Sequence, residues 1–87
     1  MADAELDGLR IKAFLDDEVV QATLAAMKET NYRLFLQAPD AEKRLAAQAQ
    51  AVVLESFVVT LQGVVDSGER ARIDRERGER SLGSRPI

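Results

Sequence analysis

Apolar and polar positions alternate along this chain at the spacing of helices, in three blocks separated by acidic or proline-containing breaks. The first block, AELDGLRIKAFL, sets Leu6, Leu9, Ala13 and Phe14 at helical intervals and predicts a short amphipathic helix, weakened by Gly8. It stops at Asp16-Asp17-Glu18. Three consecutive acids before VVQATLAAMKETNYRLFLQA read as a second helix start, because carboxylates satisfy free N–H groups and the positive end of the helix dipole. Val20, Leu24, Met27, Asn31, Leu34 and Phe35 then keep one face for about five turns at ~3.6 residues each. At Ala38-Pro39-Asp40 the pattern breaks: proline disfavours helical geometry in the residue before it, and Asp40 is placed to cap the next helix.

The third block holds the most apolar stretch, AQAQAVVLESFVVTLQGVV, residues 47–65, with Glu55 as its one charge. A membrane span would bury Gln48, Gln50, Glu55, Ser56, Thr60 and Gln62 in hydrocarbon, and Glu at mid-bilayer costs on the order of 2–3 kcal/mol. A strand fails because the alternation breaks at Val52-Val53-Leu54 and again at Phe57-Val58-Val59. A helix fits. Its main face runs through Ala46, Ala47, Gln50, Val53, Leu54, Phe57, Val58, Leu61, Val64 and Val65. To the side of that face a second row, Leu45, Val52 and Val59, repeats every seventh residue. A hairpin partner covers one face only, so this row is expected to lie under the N-terminal helix or a neighbouring chain.

Beyond Val65 the chain reads DSGERARIDRERGERSLGSRPI. Asp66 and Glu69 have capping-box spacing and Gly68 suits a helix end, which predicts that helix three stops near Ser67. A short polar helix through Arg77 is expected next, with Ile73 as its large apolar side chain, and a mobile terminus past Gly78. The expected architecture is all-α: a short N-terminal helix and a long antiparallel helical hairpin in residues 1–68, then a polar, arginine-rich extension in residues 69–87.

Composition narrows the chemistry. Eighty-seven residues without cysteine or histidine exclude disulfides and thiolate metal sites, and remove the commonest general base and metal ligand. Four aromatics (Phe14, Tyr32, Phe35, Phe57) leave little for stacking bases. Asp16, Asp17 and Glu18 diverge from a helix start and read as caps, not as a cation site; Glu55 falls on a solvent stripe with Gln48 and Gln62; no Ser or Thr has a base beside it. No catalytic residue, metal or cofactor is therefore assigned. Residues 1–68 carry six basic against eleven acidic side chains, whereas residues 69–87 carry six arginines against four acids. Arg70, Arg72, Arg75, Arg77, Arg80 and Arg85 are candidates for binding phosphates or an acidic protein surface, including the chain's own body. Glu69, Asp74, Glu76 and Glu79 are interleaved with them, the pattern of a solvated helix with i,i+4 pairs. The acidic start, MADAELDGLR, has no cationic segment leading into an apolar run, so no signal peptide is expected.

Leu15-Asp16-Asp17-Glu18, the element from Asp40 to Arg44, and the run from Leu61 to Ala71 with Gly68 form a recurrent set of helix punctuation marks. In these the segment from Phe14 to Arg72 resembles small, acidic, helical proteins of the head and packaging gene clusters of tailed bacteriophages. That resemblance implies a virion-associated or packaging role, in the host cytoplasm or the virion, without an activity of its own. The expected function is a small non-enzymatic structural or assembly protein whose partners are other protein subunits, itself included, with no membrane. Leu45, Val52, Val59 and Ile73 are its candidate interface. The alternative is a DNA-associated packaging or regulatory factor that resembles a terminase small subunit and uses the arginine-rich tail.

Overall fold

A computed structural model of the chain describes residues 3–83, with side chains described through residue 79. It is all-α, with three helices: α1 (Ala4–Asp16), α2 (Glu18–Gln37) and α3 (Ala41–Gly83). Each start has a local cause. Asp3 accepts from the Glu5 and Leu6 N–H groups at 3.0 and 3.4 Å, Asp17 from Val19 and Val20 at 2.9 and 3.1 Å, and Asp40 from Lys43 at 2.8 Å. Each carboxylate satisfies donors that have no partner within the first turn. Asp17 also ends α1, donating its own N–H to the Phe14 carbonyl at 3.3 Å while its backbone is extended. A single residue thus breaks α1 from α2, and Gln21 Nε2 ties across the break to the Leu15 carbonyl at 3.2 Å.

The predicted end of helix three is corrected. Helix α3 passes through Asp66, Ser67 and Gly68 without a break and continues to Gly83, 43 residues, about 65 Å at ~1.5 Å per residue. Gly68 has no positive φ and does not cap anything; it is buried in a helix crossing. A Cβ on Gly68 would lie 2.7 Å from the Ala4 carbonyl oxygen and 2.8 Å from Gly8 Cα, and a Cβ on Gly8 would lie 2.8 Å from Gly68 Cα. Two glycines facing each other let the backbones of α1 and α3 touch, so the feature that reads as punctuation along the chain is a packing surface across it.

The packed face of α1 is also corrected. Leu6, Leu9 and Phe14 are exposed; the side turned inward carries Glu5, Gly8, Ile11 and Leu15. Contact follows the glycine because only there can the helices approach closely, and the larger residues a third of a turn away are carried outward. Along α2, Val20, Leu24, Asn31 and Phe35 are half-buried while Met27 and Leu34 stay exposed.

Helices α1 and α2 both lie against α3, with little contact between themselves. Phe35 lies under the Arg44 guanidinium, 5.9 Å from ring centroid to Cζ, Met27 shares a groove with Val53 and Phe57, and Glu5 reaches Arg75. Moving back along α2 and α1 thus moves forward along α3. The result is a rod of 74 × 24 × 21 Å with a radius of gyration of 19.9 Å, against about 12 Å for a compact chain of this length. Its core is thin: among the described residues the buried hydrophobic side chains are Ala47 and Leu54, each 6% exposed.

Candidate functional site

A thin core leaves apolar surface on both sides of α3. Leu54 marks the side facing α2. Leu45 lies nine residues away, two and a half turns at ~3.6 residues per turn, and so points in the opposite direction. Leu45, Val52 and Val59 are 65%, 56% and 62% exposed. Coverage by the N-terminal helix, one of the two expected shields, is thereby overturned: α1 sits farther along α3, at Gly68, and on its other side. Ile73, fourteen residues past Val59, is half-buried.

Two grooves flank the α2–α3 seam, and the periodicity does not reveal them. One, about 530 Å³, is lined by Met27, Asn31, Ala49, Gln50, Val53, Leu54 and Phe57. The other, about 480 Å³, includes Tyr32, Phe35, Ala51 and Glu55. Val53 and Phe57 belong to the main apolar face by spacing, but both are exposed, because α2 offers Asn31 and the flexible Met27 opposite them and the two helices do not close over them. The signal available in the sequence is Asn31 itself, a polar residue in an apolar series. Gln48, Glu55 and Gln62 are all exposed, as expected of a solvent stripe.

The arginines of the C-terminal third of α3 divide by what they touch. Arg75 grips the Glu5 carboxylate with two donors, Nε at 2.9 Å and Nη2 at 2.7 Å, and holds Glu79 at 3.0 Å. Arg72 pairs with Glu69 and, at 2.8 Å, with Glu76. The hydrogen bonds from Arg75 and Arg72 hold the Glu5 and Glu69 carboxyls below their ordinary values, and those carboxylates raise both arginines further above theirs. Arg70 and Arg77 are exposed and make no ion pair among the described residues; the Arg80 side chain and Arg85 lie outside the described residues. One of the candidate tail arginines, Arg75, therefore binds the chain's own acidic body, in a two-pronged geometry that joins α3 to α1.

Among the described residues no group of three or more carboxylates could hold a metal ion. By length and composition alone, α3 is apolar enough within Ala41–Glu79 to cross a membrane. No family model matches this chain, and no curated protein or solved structure matches it either.

Proposed function

We propose that this chain is a non-enzymatic protein-interaction module: a short helix and an antiparallel helical hairpin with an arginine-rich extension, which assembles with other protein subunits, itself included. The supporting observation is how little it buries. Its accessible surface is 7083 Å², whereas a compact monomer of 9.6 kDa exposes about 5,100 Å². Large apolar side chains stand exposed on all three helices, among them Leu9 on α1, Val19 and Leu36 on α2, and Leu45, Val53 and Val59 on α3. Exposed apolar side chains gathered into patches are the mark of an association surface. A small structural or assembly role in a tailed-phage particle, which the resemblance over Phe14 to Arg72 implies, is the biological setting we assign to it.

The DNA-associated alternative is weakened by the geometry of the tail. Arg72 and Arg75 each hold two carboxylates, so phosphates would have to displace Glu5, Glu69, Glu76 or Glu79 to reach them. Placement outside the membrane is favoured by the exposed row of Gln48, Glu55 and Gln62, which runs the length of the apolar stretch.

Sedimentation of the full chain across a hundredfold dilution series tests the proposal. A concentration-dependent mass above that of one chain is expected. A monomer at every concentration, with no subunit recovered on it from expressing cells, would overturn it. Flotation with liposomes is expected to leave the chain in the soluble fraction.

A further inference from the structure

The helices break at Asp17, but the apolar pattern does not. Leu6, Ala13, Val20, Met27 and Leu34 stand seven residues apart, a row that belongs to one continuous helix. In the structure the row is cut in two. Val20 turns toward α3 with Leu24, whereas Leu6 and Ala13 are exposed and the inward side of α1 carries Glu5, Gly8, Ile11 and Leu15. At ~3.6 residues per turn, α1 is rotated by roughly 140° from the phase that α2 sets.

Both helices nevertheless follow one track. Going back along the chain, Phe35 meets Arg44, Met27 shares a groove with Val53, Lys12 shares a cleft with Val65, Gly8 meets Gly68 and Glu5 meets Arg75. Gly68 is fourteen residues past Leu54, so the seats of α1 and α2 lie on nearly the same side of α3. The thirteen residues of α1, Asp17 and the twenty of α2 therefore have a surface to lie on as a single helix. One torsion separates the two arrangements. Asp17 has φ −65°, already a helical value, and ψ 129°, against about −42° in a helix.

We infer that Asp17 is a two-position joint. With ψ extended, α1 docks through Gly8 and carries Leu6, Leu9 and Phe14 outward; with ψ helical, α1 and α2 fuse and Leu6 and Ala13 turn toward α3. The same donors are satisfied in both positions. The Val19 and Val20 N–H groups now rest on the Asp17 carboxylate, and in the fused helix they have the Leu15 and Asp16 carbonyls four residues back. The observed position is held by that carboxylate, by Gln21 Nε2 on the Leu15 carbonyl, by the Gly8–Gly68 contact and by Arg75 on Glu5. None of these ties uses the apolar side of α1. The joint thus decides whether that side is offered outward or laid on α3, and anything that binds one position better shifts the ratio. This holds whether or not the chain associates with itself.

Nuclear magnetic resonance on the full chain tests it, with the Cα shift of residue 17 reporting its ψ and a Gly8–Gly68 Hα contact reporting the docked seat. Asp17→Ala removes the cap and favours helix, so saturation transfer is expected to show the fused form about tenfold more populated than in the wild type. Asp17→Ser keeps a capping oxygen and should restore the wild-type ratio. Asp17→Ala with Gly8→Ala also closes the docked seat. In that double variant residue 17 is expected to be helical, with total helix undiminished by circular dichroism and the α1 amides still protected from exchange. Loss of helix and of α1 protection there would mean that α1 melts off instead of fusing, and would overturn the joint. So would a residue 17 that stays extended in Asp17→Ala, with the Gly8–Gly68 contact intact and no helical form detected.

Discussion

Helix α1, with thirteen residues, makes the more extensive contact with α3 than α2 does with twenty. The shorter helix meets α3 at Gly8 and Gly68, where neither partner has a side chain, and its outer end is clipped by Glu5 and Arg75. The longer helix meets it through Leu24, Asn31 and Phe35, whose bulk holds the backbones apart and leaves grooves on both sides of Leu54. Close approach of two backbones maximises contact per residue; large side chains that only half interlock leave apolar surface over. One end of the rod closes within the chain, and the other leaves apolar side chains exposed.

Breaking the looser end at its one well-buried large residue has the largest expected effect. Leu54→Ala is expected to cost about 2–3 kcal/mol, near the lower part of the range for buried leucine because the adjoining grooves let the site relax. Phe57→Ala, three residues on but exposed, is expected to cost the single chain less than about 1 kcal/mol. Chemical denaturation at concentrations where the chain is monomeric separates the two; equal losses would mean that α2 covers Phe57 after all.

The tight end is broken by a single methyl group. Gly68→Ala gains roughly 1 kcal/mol of helix propensity but forces the α1 and α3 backbones apart, at about 1–3 kcal/mol for overpacking, so a net loss confined to α1 is expected. Hydrogen exchange should show α1 amides losing protection while α2 amides keep theirs. Stabilisation would mean that the two backbones do not touch in solution.

A smaller effect is expected from acid. The Glu5 carboxyl is lowered by Arg75, so its contribution to docking α1 is complete above its ordinary value and is lost as pH falls through the lowered one. α1 amides should exchange faster in that acidic window, and Glu5→Gln should abolish the step. An unchanged step in Glu5→Gln would assign it to another carboxylate. Smallest of all is Gly78→Ala, on open helix: a stabilisation of at most about 1 kcal/mol, read as a rise in thermal midpoint.

Much of the fold was legible along the chain because helix starts are local events. Asp17 and Asp40 cap helices through N–H groups two or three residues away, and Pro39 acts on its immediate neighbour, so both breaks fall where the acids and proline stand. The second row of α3 was legible for the same reason, since a repeat of seven needs nothing but helical geometry. The end of α3 was not. Gly68 has the same residue type and flanks whether it terminates a helix or admits another one, and what distinguishes the two is Gly8, sixty residues away in sequence and in backbone contact in space. The inward face of α1 was illegible on the same ground: Leu6, Leu9 and Phe14 form the more apolar side, yet the side that docks is the one on which Gly8 stands.

The sequence by itself thus determined where each of the three helices begins and that α3 has more apolar surface than one neighbour covers; the separate short helix it suggested through Arg77 is part of α3. Capping and periodicity act over a few residues and do not depend on what lies across the molecule. Only the tertiary structure decided that α3 runs on to Gly83, which face of α1 is inside, and that Leu45, Val52 and Val59 lie beyond the reach of both other helices. Those are questions of which surfaces can approach most closely, and close approach is a property of two segments together.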